Sequence, residues 1–148
     1  DEKELSEFCE YRLALESQAL KSAYIKSRLE LVRGLGDLIK DFKESIKEND
    51  FVKYNLIDTK FHKSFFILSS NRYLIKNYEN INSIIETIRT HSGAAIVKNA
   101  GLGSIKGHIS IFKHIKENNL NMALNELDKH INSWHDDRII KSSLIMAY

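Results

Sequence analysis

The sequence predicts an all-α protein in which six amphipathic helices pack as an antiparallel bundle. The chain of 148 residues contains no proline and only six glycines, the two residue types that usually punctuate folds of short strands. Over most of its length, apolar residues recur at the spacing of one helix face. Four glycines lie within residues 93–107, so we expect one long loop, at residues 92–107, in an otherwise helical chain.

The first three helices are expected at residues 5–27, 29–47 and 51–68. Each has an apolar stripe at helical spacing, and the pair Asn49-Asp50 separates the second helix from the third. The stripes consist of Leu5, Phe8, Leu15, Ala19 and Ala23, then Leu31, Leu35, Leu38, Phe42 and Ile46, then Ile57, Phe61, Phe65 and Leu68. Short polar breaks between such helices favour antiparallel neighbours.

The remaining helices are expected at residues 73–89, at residues 104–117, and from about residue 121 towards Tyr148. Ser69-Ser70-Asn71 can end the third helix and cap the fourth, because short polar side chains accept hydrogen bonds from the free amides of a helix start. The pair Asn118-Asn119 ends the fifth helix. The apolar stripes are Ile81, Ile84, Ile85 and Ile88, then Ile105, Ile109, Phe112 and Ile115, then Ala123, Leu124, Leu127, Ile131 and Trp134.

Charge and composition exclude several classes of protein. Lys and Arg total 22 and Asp and Glu total 20, so the net charge of +2 is far from that of a chain that binds DNA through its phosphates. Apolar residues reach 43% without a run as long as the ~20 residues of a membrane span. The single cysteine, Cys9, excludes an internal disulfide and favours a reducing cytoplasm.

Because the chain begins at Asp1 within a helical pattern, we expect a further segment upstream.

Polar residues lie on or beside the apolar stripes of three helices. Asp58 and His62 are four residues apart and share one face of the third helix. His108 lies on the stripe of the fifth helix and His130 on that of the last. If these side chains converge in the bundle, a divalent metal is their simplest common partner, since imidazole and carboxylate suit zinc, nickel or manganese. Histidines that are held separately in the core are the alternative.

Arg12 is a second polar residue at a position that should face the core. It lies between Phe8 and Leu15 on the first helix, and Glu16 follows one turn later. The two side chains can form an internal ion pair. Alternatively, the planar guanidinium of Arg12 can receive an anionic ligand.

Five segments occur in an order and spacing typical of one protein family. They are RLALE (12–16), DTKFH (58–62), SSNRYL (69–74), GHISI (107–111) and ALNELDKH (123–130). This ordered set resembles the FCD domain, the effector-binding C-terminal domain of the FadR subfamily of GntR-type bacterial transcription regulators. The resemblance extends over about residues 5–138.

The resemblance implies an antiparallel bundle of six to seven helices that binds a divalent metal through Asp58, His62, His108 and His130. It also implies open coordination positions for water or a small carboxylate effector, with Arg12 lining the same cavity. We expect zinc as the metal, with nickel and manganese as alternatives. Members of the family dimerise and carry an upstream winged helix-turn-helix, so DNA is expected to bind only through that separate domain.

The resemblance therefore implies a homodimeric regulator that senses a small organic acid and is not an enzyme, and the single cysteine favours a cytoplasmic location. Glu126, one turn before His130, is a further candidate for contact with the ligand. Two alternatives stay open. The first is a structural or interaction bundle whose histidines bind no metal, and the second, less favoured, is a metal-dependent enzyme, because three histidines and an aspartate can also activate water.

Overall fold

The chain forms five helices in the computed structural model, which describes residues 2–92 and 94–136 and the side chains of residues 3–90 and 105–133. The helices are α1 (Glu2–Lys47), α2 (Phe51–Leu68), α3 (Arg72–Ser92), α4 (Ala94–Lys116) and α5 (Leu120–Asp136). No strand occurs in the described ranges, so the predicted all-α class is confirmed. Within the same residues, no helix combines the length and the hydropathy that a bilayer span requires. The expected continuation of α5 towards Tyr148 lies outside the described residues.

The five helices do not match the predicted count of six to seven, although the break predicted between residues 27 and 29 is present as a kink inside α1. α1 continues through Ser27, whose backbone angles (φ −146°, ψ 39°) leave the helical range. Ser27 therefore kinks one long helix at the place where the sequence pattern indicated a break.

Short polar connections join α1 to α2, α2 to α3 and α4 to α5, as predicted. Each connection contains one residue in the left-handed region, namely Asn49 (φ 54°), Ser70 (φ 51°) and Asn118 (φ 62°). At the start of α2 the side chain of Asp50 accepts a hydrogen bond from the backbone N–H of Lys53 at 2.9 Å. Connections of this length reverse the chain, so the joined helices run antiparallel.

The long loop predicted at residues 92–107 is also wrong. α4 begins at Ala94 and continues through Gly101, Gly103 and Gly107 to Lys116. A glycine inside a helix costs only about 1 kcal/mol relative to alanine, and no proline interrupts the segment. The glycines therefore weaken the helix locally without ending it.

The hydrophobic core lies where α1 packs against α2, α4 and α5, and α3 packs beside α2. Its largest fully buried apolar side chains are Leu20, Leu31, Leu35, Phe42, Phe61, Phe65, Phe66, Tyr78, Ile81, Ile111 and Ile115. The same interior also buries cationic, acidic and imidazole side chains, namely Arg12, Glu16, Asp58, His62, His108 and His130. Charged residues of these types are rarely fully buried unless they are paired, so their contacts identify the site.

Candidate metal centre

Four side chains from three helices meet inside the bundle. α2 contributes Asp58 and His62, α4 contributes His108, and α5 contributes His130. One possible ligand atom from each residue lies within 4.8 Å of all the others, and all four side chains are buried. The convergence expected from the apolar stripes is therefore confirmed.

The atoms that face one another in this cluster are the atoms that bind metals. Oδ1 of Asp58 lies 2.8 Å from Nε2 of His108 and 3.7 Å from Nε2 of His62. Nε2 of His62 lies 3.2 Å from Nε2 of His130. Three imidazole nitrogens and one carboxylate oxygen form a donor set that fits zinc, nickel or manganese. The cluster could therefore hold a divalent transition metal.

Aromatic packing fixes the imidazole rings. The ring centroid of His108 lies 4.5 Å from that of Phe42 and 4.7 Å from that of Phe61. The rings of His62 and His130 stack with their centroids 5.2 Å apart and only 9° between their planes.

Burial, and then the nearby His108 and His62, lower the pKa of His130 well below its ordinary value. His130 is therefore neutral near pH 7, which is the form that binds metals.

Gly107 makes room for His130 beside α4. A Cβ atom at Gly107 would lie 2.5 Å from Nδ1 and 3.1 Å from Cγ of His130. Side-chain atoms do not approach a Cβ atom to 2.5 Å, so any larger residue would displace the imidazole. The sequence analysis placed Gly107 in a loop, whereas the structure gives it a packing role directly before His108.

A buried ion pair on α1 adjoins the cluster. Nε of Arg12 donates to Oε1 of Glu16 at 2.6 Å, and the exposed fractions of the two side chains are 2% and 0%. The expected ion pair is therefore confirmed, whereas contact between Arg12 and an anion stays a prediction. The other carboxylate oxygen, Oε2, lies 2.6 Å from Nδ1 of His62. Burial raises the pKa of Glu16, but Arg12 and His62 outweigh burial and lower it to about 2, so this carboxylate is ionised at neutral pH.

Arg89 of α3 is a residue of this site that the sequence analysis missed. Its guanidinium donates to Oδ2 of Asp58 and, at 3.2 Å, to Oγ1 of Thr59. A signal was present, because Arg89 follows Ile85 by one helical turn and so falls on the apolar stripe of α3. The outward neighbour Glu86 also accepts a hydrogen bond from Arg89. Arg89 thus joins α3 to the cluster through Asp58.

The charge on Asp58 is maintained by its neighbours. Burial raises the pKa of this carboxyl group, but the hydrogen bond from His108 and the charges of His62 and Arg89 outweigh burial. Its pKa is therefore held well below the ordinary value. An ionised Asp58 can act as a metal ligand at any pH near neutrality.

Glu126 does not belong to the four-residue cluster. Its carboxylate accepts a hydrogen bond from Nζ of Lys129 at 2.9 Å. That bond, and after it one from Ser110, lower the pKa of Glu126. Contact between Glu126 and a ligand stays a prediction.

Similarity to known proteins agrees with the geometry. Residues 7–133 match the model of the family described as FCD domain. The structure resembles the metal-free FCD domain of TM0439, a protein assigned as a transcriptional regulator, with a TM-score of 0.80 and 22% sequence identity. This match covers 99% of the present chain and 97% of that chain. Among curated protein sequences, none shows significant similarity to this chain.

Replacing Arg89 by methionine tests the ion pair that holds Asp58. The change leaves the carboxylate of Asp58 without its guanidinium partner, and breaking a buried pair from one side is strongly destabilising. We expect the free energy of unfolding to fall by about 2–3 kcal/mol. This loss is smaller than that for a fully buried ion pair, because 13% of the Arg89 side chain is exposed. Urea denaturation followed by circular dichroism measures this change.

The matched control is Arg33→Met, since Arg33 is exposed on α1. This control is expected to change stability by less than about 0.5 kcal/mol. Equal effects of the two substitutions would contradict the assigned role of Arg89.

Proposed function

Because the chain belongs to the FCD domain family, we propose that it is the ligand-sensing domain of a FadR-type transcription regulator. In this proposal Asp58, His62, His108 and His130 bind a divalent metal, and a small carboxylate effector binds at the same centre. The observation that carries the proposal is the buried cluster, whose possible ligand atoms lie within 4.8 Å of one another.

The composition of the cluster supports a divalent transition metal, for which we propose zinc. Three imidazoles and one carboxylate that turn their polar atoms towards one another are costly to bury without a common partner. Zinc binds such nitrogen and oxygen donors, and nickel and manganese accept the same set. When bound, the ion supplies a positive charge and a Lewis acid that attract an anion.

The fixed charges around the cluster favour an anionic effector. Arg12 and Arg89 balance Glu16 and Asp58, so these four ionised side chains leave no net charge. The charge of a divalent ion would therefore remain uncompensated. We propose a small organic acid as the effector and Arg12 as its contact, since a guanidinium binds carboxylates through paired donors.

Regulation is proposed to act through a separate DNA-binding domain of the winged helix-turn-helix type. The net charge of +2 supports this division, because phosphate binding requires a strongly basic surface. An effector that draws together the helices carrying Asp58, His108 and His130 would shift the population of homodimer arrangements. The homodimer itself stays a prediction.

Metal content is the first test of the proposal. We expect the purified protein to contain about one equivalent of zinc per chain, and nickel or manganese to replace zinc when they are supplied instead. The variants Asp58→Ala and His108→Ala should each lose the metal while circular dichroism still reports a helical fold. Elemental analysis by mass spectrometry measures the content.

The control for this test is His114→Ala, since His114 lies on α4 outside the cluster and faces Glu117 at 3.9 Å. It should retain the metal. If the parent protein binds none of the three metals, even after incubation with each of them, the proposed site is wrong and a metal-free bundle becomes the better description.

Substitutions at two glycines, one beside His130 and one in open space, test the packing of His130. Gly107→Ala should lower zinc affinity by about tenfold or more, because the new Cβ atom displaces a ligand from its position. Gly34→Ala is the matched control, since nothing lies within 4 Å of a Cβ atom at Gly34. That control should raise stability by about 0.5–1 kcal/mol and leave zinc affinity unchanged. Competition with a chromophoric chelator gives both affinities, and equal affinities would contradict the packing role of Gly107.

Binding of small carboxylates tests the proposed effector class. Citrate, lactate and gluconate are the probes. An acid that binds only the folded state stabilises it by about 2.7 kcal/mol when its concentration is about 100 times its dissociation constant. We expect at least one acid to raise the melting temperature of the zinc-loaded protein and to have no such effect on the metal-free protein. The acid should be recovered unchanged, since a sensor does not consume its ligand. Failure of all three acids would argue against the proposed effector class, and turnover would favour an enzyme.

A further inference from the structure

Glu16 lies on α1, a helix that contributes none of the four side chains of the cluster, and it contacts the cluster through His62. Its Oε2 atom lies 2.6 Å from Nδ1 of His62, and its Oε1 atom lies 2.6 Å from Nε of Arg12. The side chain of Glu16 is fully buried, and those of its two partners are exposed by 2% or less. Glu16 is therefore held between a cation and an imidazole in the interior of the bundle.

The position of the carboxylate restricts the tautomer of His62. A neutral imidazole carries one N–H group, on either Nδ1 or Nε2, and an ionised carboxylate can only accept hydrogen bonds. At 2.6 Å from Oε2 of Glu16, Nδ1 must therefore be the nitrogen that carries the hydrogen atom. Nε2, which faces Oδ1 of Asp58 and Nε2 of His130, is then the ring nitrogen left to bind a metal.

We propose that Glu16 is a positioning residue that holds His62 in its Nδ1–H tautomer, with Nε2 available as a metal ligand, and that Arg12 orients Glu16 for this task. The inference rests on the proposed function and adds a role for the ion pair on α1. Carboxylates that accept the second N–H group of a ligating histidine fix its ring and raise its basicity. Without the carboxylate, a hydrogen atom on Nε2 would occupy the space where the ligands converge.

Two variants of the ion pair test the inference, together with one control. In Glu16→Gln the single carbonyl oxygen accepts from Nε–H of Arg12, so the NH₂ group faces Nδ1 of His62 as a donor. Arg12→Leu combined with Glu16→Leu removes both members of the ion pair. Replacement of a buried ion pair by apolar residues is often tolerated, so the double variant is expected to fold. Glu10→Gln is the control, since Glu10 is exposed on the same helix.

Zinc affinity is measured by competition with a chromophoric chelator, and circular dichroism confirms the fold of each variant. We expect the double leucine variant to bind zinc about 10–100-fold more weakly than the parent protein. Glu16→Gln should also bind zinc more weakly than the parent, because an amide donor at Nδ1 favours a hydrogen atom on Nε2, and Glu10→Gln should match the parent. A folded double variant that binds zinc with the affinity of the parent would overturn the inference.

The tautomer of His62 gives a second measurement that needs no metal. Two-dimensional correlation of the ¹⁵N and carbon-bound ¹H nuclei of the imidazole distinguishes Nδ1–H from Nε2–H in the metal-free protein. We expect Nδ1–H in the parent protein, Nε2–H in Glu16→Gln, and a substantial Nε2–H population in the double variant. An Nε2–H ring in the metal-free parent would refute the assignment.

The two measurements separate this inference from the proposed function. A parent protein that binds no zinc contradicts the metal site, yet its His62 tautomer still shows whether Glu16 positions the ring. If the parent protein binds zinc and substitution of Glu16 leaves the zinc affinity unchanged, the metal site is supported and the inference about Glu16 is wrong.

Discussion

Ionised side chains inside the bundle are stable only where an opposite charge or a hydrogen-bond partner meets them. Glu16 meets Arg12 on its own helix, and Asp58 meets Arg89 of α3. In each pair, loss of one member would leave the other as an uncompensated charge in an apolar interior, which is more costly than loss of the whole pair. The arrangement of the cluster therefore depends on these two ion pairs, because Arg12 keeps Glu16 ionised and Arg89 adds to the effect of His108 and His62 on Asp58.

Much of this arrangement is visible in the sequence, because helical periodicity determines which residues share a face. The bounds of α2 coincide with those predicted from Asp50 and the polar run after Leu68. The side chain of Asn71 accepts from the backbone N–H of Tyr73 at 3.0 Å, as expected of the residue that caps α3. Convergence of the clustered aspartate and histidines agrees with their places on or beside three stripes, since stripes face a common core. The sequence alone also allowed histidines held separately in the core.

Contacts that depend on the rotation and pairing of helices were not predictable in the same way. Arg89 lies on a stripe, but its pairing with Asp58 depends on how α3 packs beside α2. The contact of Glu16 with His62 likewise joins residues 46 positions apart on two helices. The continuity of α4 was missed for a different reason. Glycines weaken a helix without ending it, and periodicity alone does not weigh that cost against the packing of the rest of the helix.

Each of the five helices in the described part of the chain contributes to this centre. Glu16 comes from α1, Asp58 and His62 from α2, and Arg89 from α3, and the two remaining histidines come from α4 and α5. If stability alone shaped the interior, apolar residues of similar volume would serve as well or better, because buried ion pairs seldom improve on hydrophobic packing. Here polar side chains from all five described helices meet at one centre, so a ligand bound there can change the positions of all five helices together. This arrangement supports a sensor over a purely structural bundle.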